Sequence, residues 1–279
     1  MPFHFRRLLR HGGRAIAAAA VPLTILLLAG TPLTPAQAAA RTEAGIGAPT
    51  ASAVVTAALA TTGTVVADTG FRPKVDGFSF RNYDGGDNLT AAALQRLFGP
   101  DVCAGAEDAP CRLTPAAEQW MARYNRLMAA GGHCYGFSTL SQLFYAGHAR
   151  SSGFGAPATP RLQLEGNQPL QQEIAYAWTF QALPAVRSAG ISGVPATVLD
   201  ALIEGLNAAP GDSAGGSGGK PGADSYTLAF TKADGSGGHA VTPYAVEDRG
   251  GGEFAVLVYD SNFPGQARTL QIDREANSW

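Results

Sequence analysis

The chain changes its periodicity once, and that change limits its fold more than any other feature. Before a Gly/Ser-rich stretch at residues 210 to 222, apolar residues recur at helical spacing. After it they fall into short β-branched and aromatic runs bounded by turn residues. Helical patterns cover residues 90 to 98, 114 to 130, 134 to 146, 170 to 183 and 195 to 206. Strand patterns cover 225 to 231, 239 to 247, 253 to 260 and 268 to 272. Helices first and strands afterwards predict an α+β layout with a cleft between two lobes. The expected domain spans 71 to 279, with a helical lobe over 71 to 210, a linker over 210 to 222 and a β lobe over 223 to 279.

Local signals support the helices. Thr114-Pro115 supplies an N-cap and a first-turn proline, and Gly131-Gly132 stops the helix that follows. Trp120, Tyr124, Leu127 and Met128 are its expected inward face. Phe137, Leu140, Phe144 and Tyr145 form the next apolar stripe, with Gly147 as the C-cap. Pro184 is expected to end the helix begun at Leu170.

The first forty residues have the make-up of an export leader. Arg6, Arg7, Arg10 and Arg14 precede an apolar run from Ala15 to Gly30, and Ala36-Gln37-Ala38 is a small-x-small cleavage site. Thr31 stands where a lipoprotein leader needs cysteine. The expectation is a secreted protein with no membrane anchor after cleavage. Residues 41 to 70 are Ala-, Thr-, Gly- and Val-rich, with few charges and no period, and are expected to be a tether or short pro-segment. Net charge is −2 with no basic cluster outside the leader, which argues against nucleic acid.

Export implies an oxidising compartment, where thiols pair. Cys103 and Cys111 flank a short loop and are expected to form a local disulfide. That leaves Cys134 as the odd thiol, at the start of a helix in Gly131-Gly132-His133-Cys134-Tyr135-Gly136-Phe137. About a hundred residues later Gly238-His239-Ala240-Val241 opens a strand, and Tyr259-Asp260-Ser261-Asn262 closes the next one. With a four-residue hairpin loop at 248 to 251, His239 is expected opposite Asp260 on one face. Cys134, His239 and Asp260 are then nucleophile, base and orienter. A helix N-terminus and an imidazolium both favour a thiolate. Asn262 is the rival third member. Scattered histidines with one cysteine make no zinc site, so no metal and no cofactor are expected. His133 is read as a loop residue.

These stretches resemble the papain-like cysteine peptidase clan, especially its bacterial secreted branches with C39-type domains. The resemblance covers about 45 of 279 residues. It implies a helical lobe carrying the cysteine, a β lobe carrying the histidine and its partner, and hydrolysis of peptide or isopeptide bonds in a peptide or protein substrate. A monomer is expected. One departure stands out. Papain-type enzymes carry a glutamine six residues before the cysteine to complete the oxyanion hole, and position 128 here is methionine. Asn125 or Gln119 on the preceding helix are the substitutes expected from sequence. Transglutaminases share the Cys-His-Asp order, so acyl transfer to an amine is an alternative to hydrolysis. A non-catalytic binding domain on the same fold is another.

Overall fold

A computed structural model describes residues 24–29, 63–85, 89–105, 110–207, 226–231 and 238–279. The linker at 210 to 222, and the leader apart from Thr24–Ala29, lie outside the described residues. The architecture is α+β. The helices are α1 (Pro73–Asp76), α2 (Ala91–Phe98), α3 (Pro115–Gly131), α4 (Cys134–Tyr145), α5 (Gln168–Trp178), α6 (Pro184–Ala189) and α7 (Pro195–Leu206). The strands are β1 (Thr24–Ala29), β2 (Thr64–Asp68), β3 (Cys103–Ala104), β4 (Arg112–Leu113), β5 (Ile191–Gly193), β6 (Tyr226–Thr231), β7 (Gly238–Gly250), β8 (Glu253–Tyr259) and β9 (Ala267–Asp273).

The main sheet runs β5-β1-β6-β7-β8-β9, with β2 also paired to β7. The β6 to β9 ladders are antiparallel, while β1 pairs in parallel with β5 and β6. Strand β1 comes from the apolar run read as the core of the leader. Cleavage after Ala38 would remove it and leave the antiparallel strands together. A separate two-stranded sheet, β3 with β4, is closed by the Cys103–Cys111 disulfide.

Three boundaries differ from the sequence reading. The tether expected over 41 to 70 ends in strand β2, antiparallel to the far half of β7, and its Ala67 is buried. One side of β2 faces solvent, with Val65 exposed, and five residues are too few to show a period. Helix α7, assigned to the helical lobe, packs instead on the sheet: Val198, Leu199, Leu202 and Leu206 share a core with Leu228, Val241, Val246 and Val256. Pro184 ends the helical run as expected, with Leu183 extended before it, but the α-helix proper stops earlier, at Trp178. The chain turns into a 3-10 segment after α5, and Pro184 opens α6 at a position where its missing N–H costs no hydrogen bond. On α3, Leu127 faces outward while Met128 is buried.

Helix α4 joins the two halves. Phe137 and Leu140 pack with Leu170 and Ile174 of α5 and with Phe78 and Leu162. Gly136 permits that approach, because a Cβ there would lie 2.1 Å from the Ile174 carbonyl oxygen. The opposite face meets the sheet through a buried polar network. Ser138 Oγ lies 3.0 Å from Thr227 Oγ1 of β6, and Thr242 Oγ1 of β7 donates to Ser138 Oγ at 2.9 Å. Gln142 Nε2 donates to the Ser138 carbonyl at 3.1 Å. Buried polar groups joined in this way fix one seating of helix on sheet.

Strand β7 is long because it serves two partners on one side. Its start pairs with β6, setting Phe230 opposite His239, and its end pairs with β2. Pro243, which has no N–H for a ladder, sits at the changeover, where the β8 register also slips. The β7–β8 hairpin turns through Gly251-Gly252, both at positive φ (62° and 83°), as a two-residue connection. The expected four-residue loop at 248 to 251 is therefore incorrect. Continuing the Thr242↔Tyr259 register sets Asn262, not Asp260, opposite His239.

Candidate active site

The three sequence-predicted residues nevertheless meet. The register differs from the expected one by two positions at His239, and an even difference preserves the face on which a side chain stands. Asp260 follows the end of β8 in a turn closed by the Phe263 N–H on the Asp260 carbonyl at 2.9 Å. Its Oδ1 lies 2.8 Å from His239 Nε2. A carboxylate only accepts, so Nε2 carries the proton and donates. Cys134 lies within hydrogen-bonding reach of the same imidazole, which leaves Nδ1 as the nitrogen for the sulfur.

Each group is held from behind. Cys134 is the first residue of α4 and is 8 % exposed. It packs with Tyr135 and Ala240, with Trp178, Phe180 and Val186 alongside, so its surroundings are apolar. It is a free thiol. No protein group among the described residues accepts from its main-chain N–H, and the α4 dipole places partial positive charge there. His239 is set on β7 with Phe230 edge-on to its ring, centroids 5.8 Å apart. Burial alone would lower the imidazole pKa. Hydrogen bonds to Asp260 and to Cys134, with the negative charge of both, outweigh it and push the value up to about 9.

The rival third member is present too. Asn262 Nδ2 lies 3.4 Å from His239 Nε2, but two donors do not bond each other, so the carboxylate at 2.8 Å holds the ring. Asn262 contributes through its main chain, whose N–H donates to Asp260 Oδ1 at 2.8 Å.

Neither expected oxyanion substitute is hydrogen-bonded to Cys134 or His239 among the described residues. Asn125 is buried, and its Oδ1 accepts from the Leu89 N–H at 3.1 Å, within a core of Leu94, Ala117 and Met128. Gln119 is exposed on α3, with no hydrogen bond to Cys134 or His239. Both precede Gly132, which at φ 77° ends α3 and turns the chain away from that helix.

What holds the turn just before Cys134 is a segment that sequence reasoning passed over. Asn82 Oδ1 accepts from the His133 N–H at 2.7 Å, and the Asn82 N–H donates to the Ser261 carbonyl at 2.9 Å. The Tyr83 carbonyl accepts from His133 Nδ1 at 2.8 Å, and the two rings stack at 4.2 Å. His133 is fully buried, and burial lowers its pKa, so the ring is neutral with its proton on Nδ1. It is a structural histidine. Asn82 lies 51 residues before its partner His133, in no motif, and nothing in the sequence marked it.

Comparison with protein-family models, curated proteins and solved structures finds no match for the chain. Among the described residues no group of three or more His, Cys, Asp or Glu is arranged to hold a metal ion, and no helix is long and apolar enough to cross a membrane.

Proposed function

We propose that the protein is a secreted, cysteine-dependent hydrolase of peptide or isopeptide bonds with a papain-like arrangement of lobes. Cys134 is its nucleophile, His239 its acid and base, and Asp260 its orienter. One observation carries the reading: His239 donates to Asp260 at 2.8 Å, and the same imidazole interacts with the free thiol of Cys134 at the start of a helix. A core histidine satisfied by an acid does not need a thiol on its other side. The disulfide and the leader composition support export.

The chemistry follows from the charges. With its pKa pushed up to about 9, His239 carries a proton over the neutral range and stands beside the sulfur as an imidazolium, which favours attack by the thiolate form. The sulfur attacks the substrate carbonyl, and the C=O electron pair moves onto oxygen. His239 then gives its proton to the departing amine as the carbonyl re-forms, leaving a thioester on Cys134. Water, deprotonated by the now neutral His239, attacks the thioester, and the sulfur leaves as thiolate.

The test is iodoacetamide alkylation of Cys134 against pH, in the mature chain and in His239→Ala, followed by digestion of a mixed peptide library read by mass spectrometry. Rapid alkylation well below pH 8 that His239→Ala abolishes, with library cleavage lost in Cys134→Ala, is the expected result. An inert thiol sinks the proposal. Incorporation of a fluorescent amine in place of cleavage would make the protein an acyltransferase.

A further inference from the structure

We propose that Asn82 is a catalytic residue, the side-chain donor that completes an oxyanion hole with the main-chain N–H of Cys134. The inference rests on the cysteine-hydrolase reading above and supplies the group that reading lacks. A tetrahedral intermediate on Cys134 carries a full negative charge on the former carbonyl oxygen. One N–H at the head of α4 is half of what such sites provide. Met128 and the buried Asn125 leave the other half unfilled.

Asn82 meets the requirement in three ways. Its amide is fixed in one sense: Oδ1 is held by the His133 N–H at 2.7 Å, so the carbonyl end points to the residue before the nucleophile. That leaves Nδ2 as the donor end, beside the Gly132 turn, and no protein acceptor takes it among the described residues. The amide also lies against the turn that delivers Cys134, since a Cβ at Gly132 would sit 2.8 Å from Asn82 Nδ2. Position 132 therefore admits only glycine, for its positive φ and for this contact. Finally, the Asn82 main chain is tied to the acid-bearing loop through the Ser261 carbonyl at 2.9 Å. A donor aimed by both the nucleophile turn and the acid loop costs no reorganisation when charge develops. Asn82 is half-buried, so a substrate oxygen can reach it.

The experiment compares two reactions of the same sulfur in the full mature chain. p-Nitrophenyl acetate acylates a thiolate through an oxyanion: the sulfur adds to the carbonyl, the oxygen takes the electron pair, and collapse releases p-nitrophenolate and leaves an acetyl thioester. Iodoacetamide alkylates by direct displacement of iodide and forms no oxyanion. Asn82→Asp keeps the acceptor for His133 and removes the N–H. Asn82→Ala removes both, and its melting curve reports whether the turn survives. The expected result for Asn82→Asp is an acylation rate reduced roughly 100- to 1,000-fold, with alkylation at the plateau of its pH profile unchanged. If both reactions slow together, Asn82 only positions the thiol and the proposal is overturned. Unchanged acylation in Asn82→Asp overturns it as well. A failure of the hydrolase reading shows up separately, as an unmodified chain whose Cys134 takes neither reagent, and it removes the inference too.

Discussion

Asp260→Asn isolates the charge on which the site depends. The amide keeps an oxygen for His239 Nε2, so the ring stays in place, but the carboxylate charge is gone. The rise of His239 from 6.5 to about 9 favours the protonated ring by roughly 3 kcal/mol. Burial opposes that rise, and Asp260 contributes to it ahead of Cys134. The two side chains are 19 % and 13 % exposed, so solvent screens the pair little. Losing the anion while burial remains should lower the His239 midpoint by about 1–3 units, the range that an adjacent opposite charge commands. The assay is the imidazole Cε1–H resonance followed against pH by NMR, assigned as the signal missing in His239→Ala. The effect on stability has a definite sign. A raised imidazole pKa stabilises the fold fully below 6.5, and that contribution fades as pH climbs through about 9. The gap in unfolding free energy between the unmodified chain and Asp260→Asn should thus be widest near pH 6 and close above pH 9. A midpoint that moves by less than about half a unit, or a gap that widens with pH, refutes the reasoning.

Gly136→Ala should lower stability by about 1–3 kcal/mol in chemical denaturation, because a Cβ 2.1 Å from the Ile174 carbonyl forces α4 and α5 apart. Thr242→Val deletes the 2.9 Å bond to Ser138 Oγ at constant volume; the expected cost is about 1–2 kcal/mol in the same measurement, with slower ester acylation because α4 loses a tie to β7. Replacing Cys103 and Cys111 together by serine opens a cross-link between residues eight apart. It should cost about 2–3 kcal/mol in thermal unfolding and leave Cys134 alkylation unchanged.

The fold was most legible where local chemistry sets the outcome. Thr114 caps α3 by accepting from the Ala117 N–H, and Pro115 and Gly132 bound that helix as their backbone preferences require. The four strands after the linker fall within one residue of their expected limits, except that β7 runs three residues past its expected end, since each is a β-branched run between turn residues. What escaped depends on contacts between distant segments. Strand β2 is defined by pairing with β7, and α7 by the sheet that it covers. The hairpin register escaped for a nearer reason: Gly250-Gly251-Gly252 all take positive φ, and two slips follow along β7. The meeting of Cys134, His239 and Asp260 was legible because each sits at the end of a regular element. Asn82 was not, because a donor on an irregular segment carries no periodic or capping signal.

That division bears on how the site is assembled. No stretch of sequence contains more than a fragment of it. The thiol comes from the head of α4, the imidazole from β7, the acid from the turn after β8 and the amide from the segment before α2. Hydrogen bonds spanning 51 and 104 residues, His133 to Asn82 and Thr242 to Ser138, hold these pieces together. The polar network under Cys134 lies between α4 and the sheet, so the seating of the helical half on the β half and the geometry of the thiol-imidazole pair are one quantity. A substitution that loosens the seating costs stability and reactivity together. One at Asp260 or Asn82 Nδ2 alters charge or a single donor and leaves the seating intact. The two classes of variant therefore separate positioning from chemistry, and the free thiol of Cys134 serves as the common reporter for both.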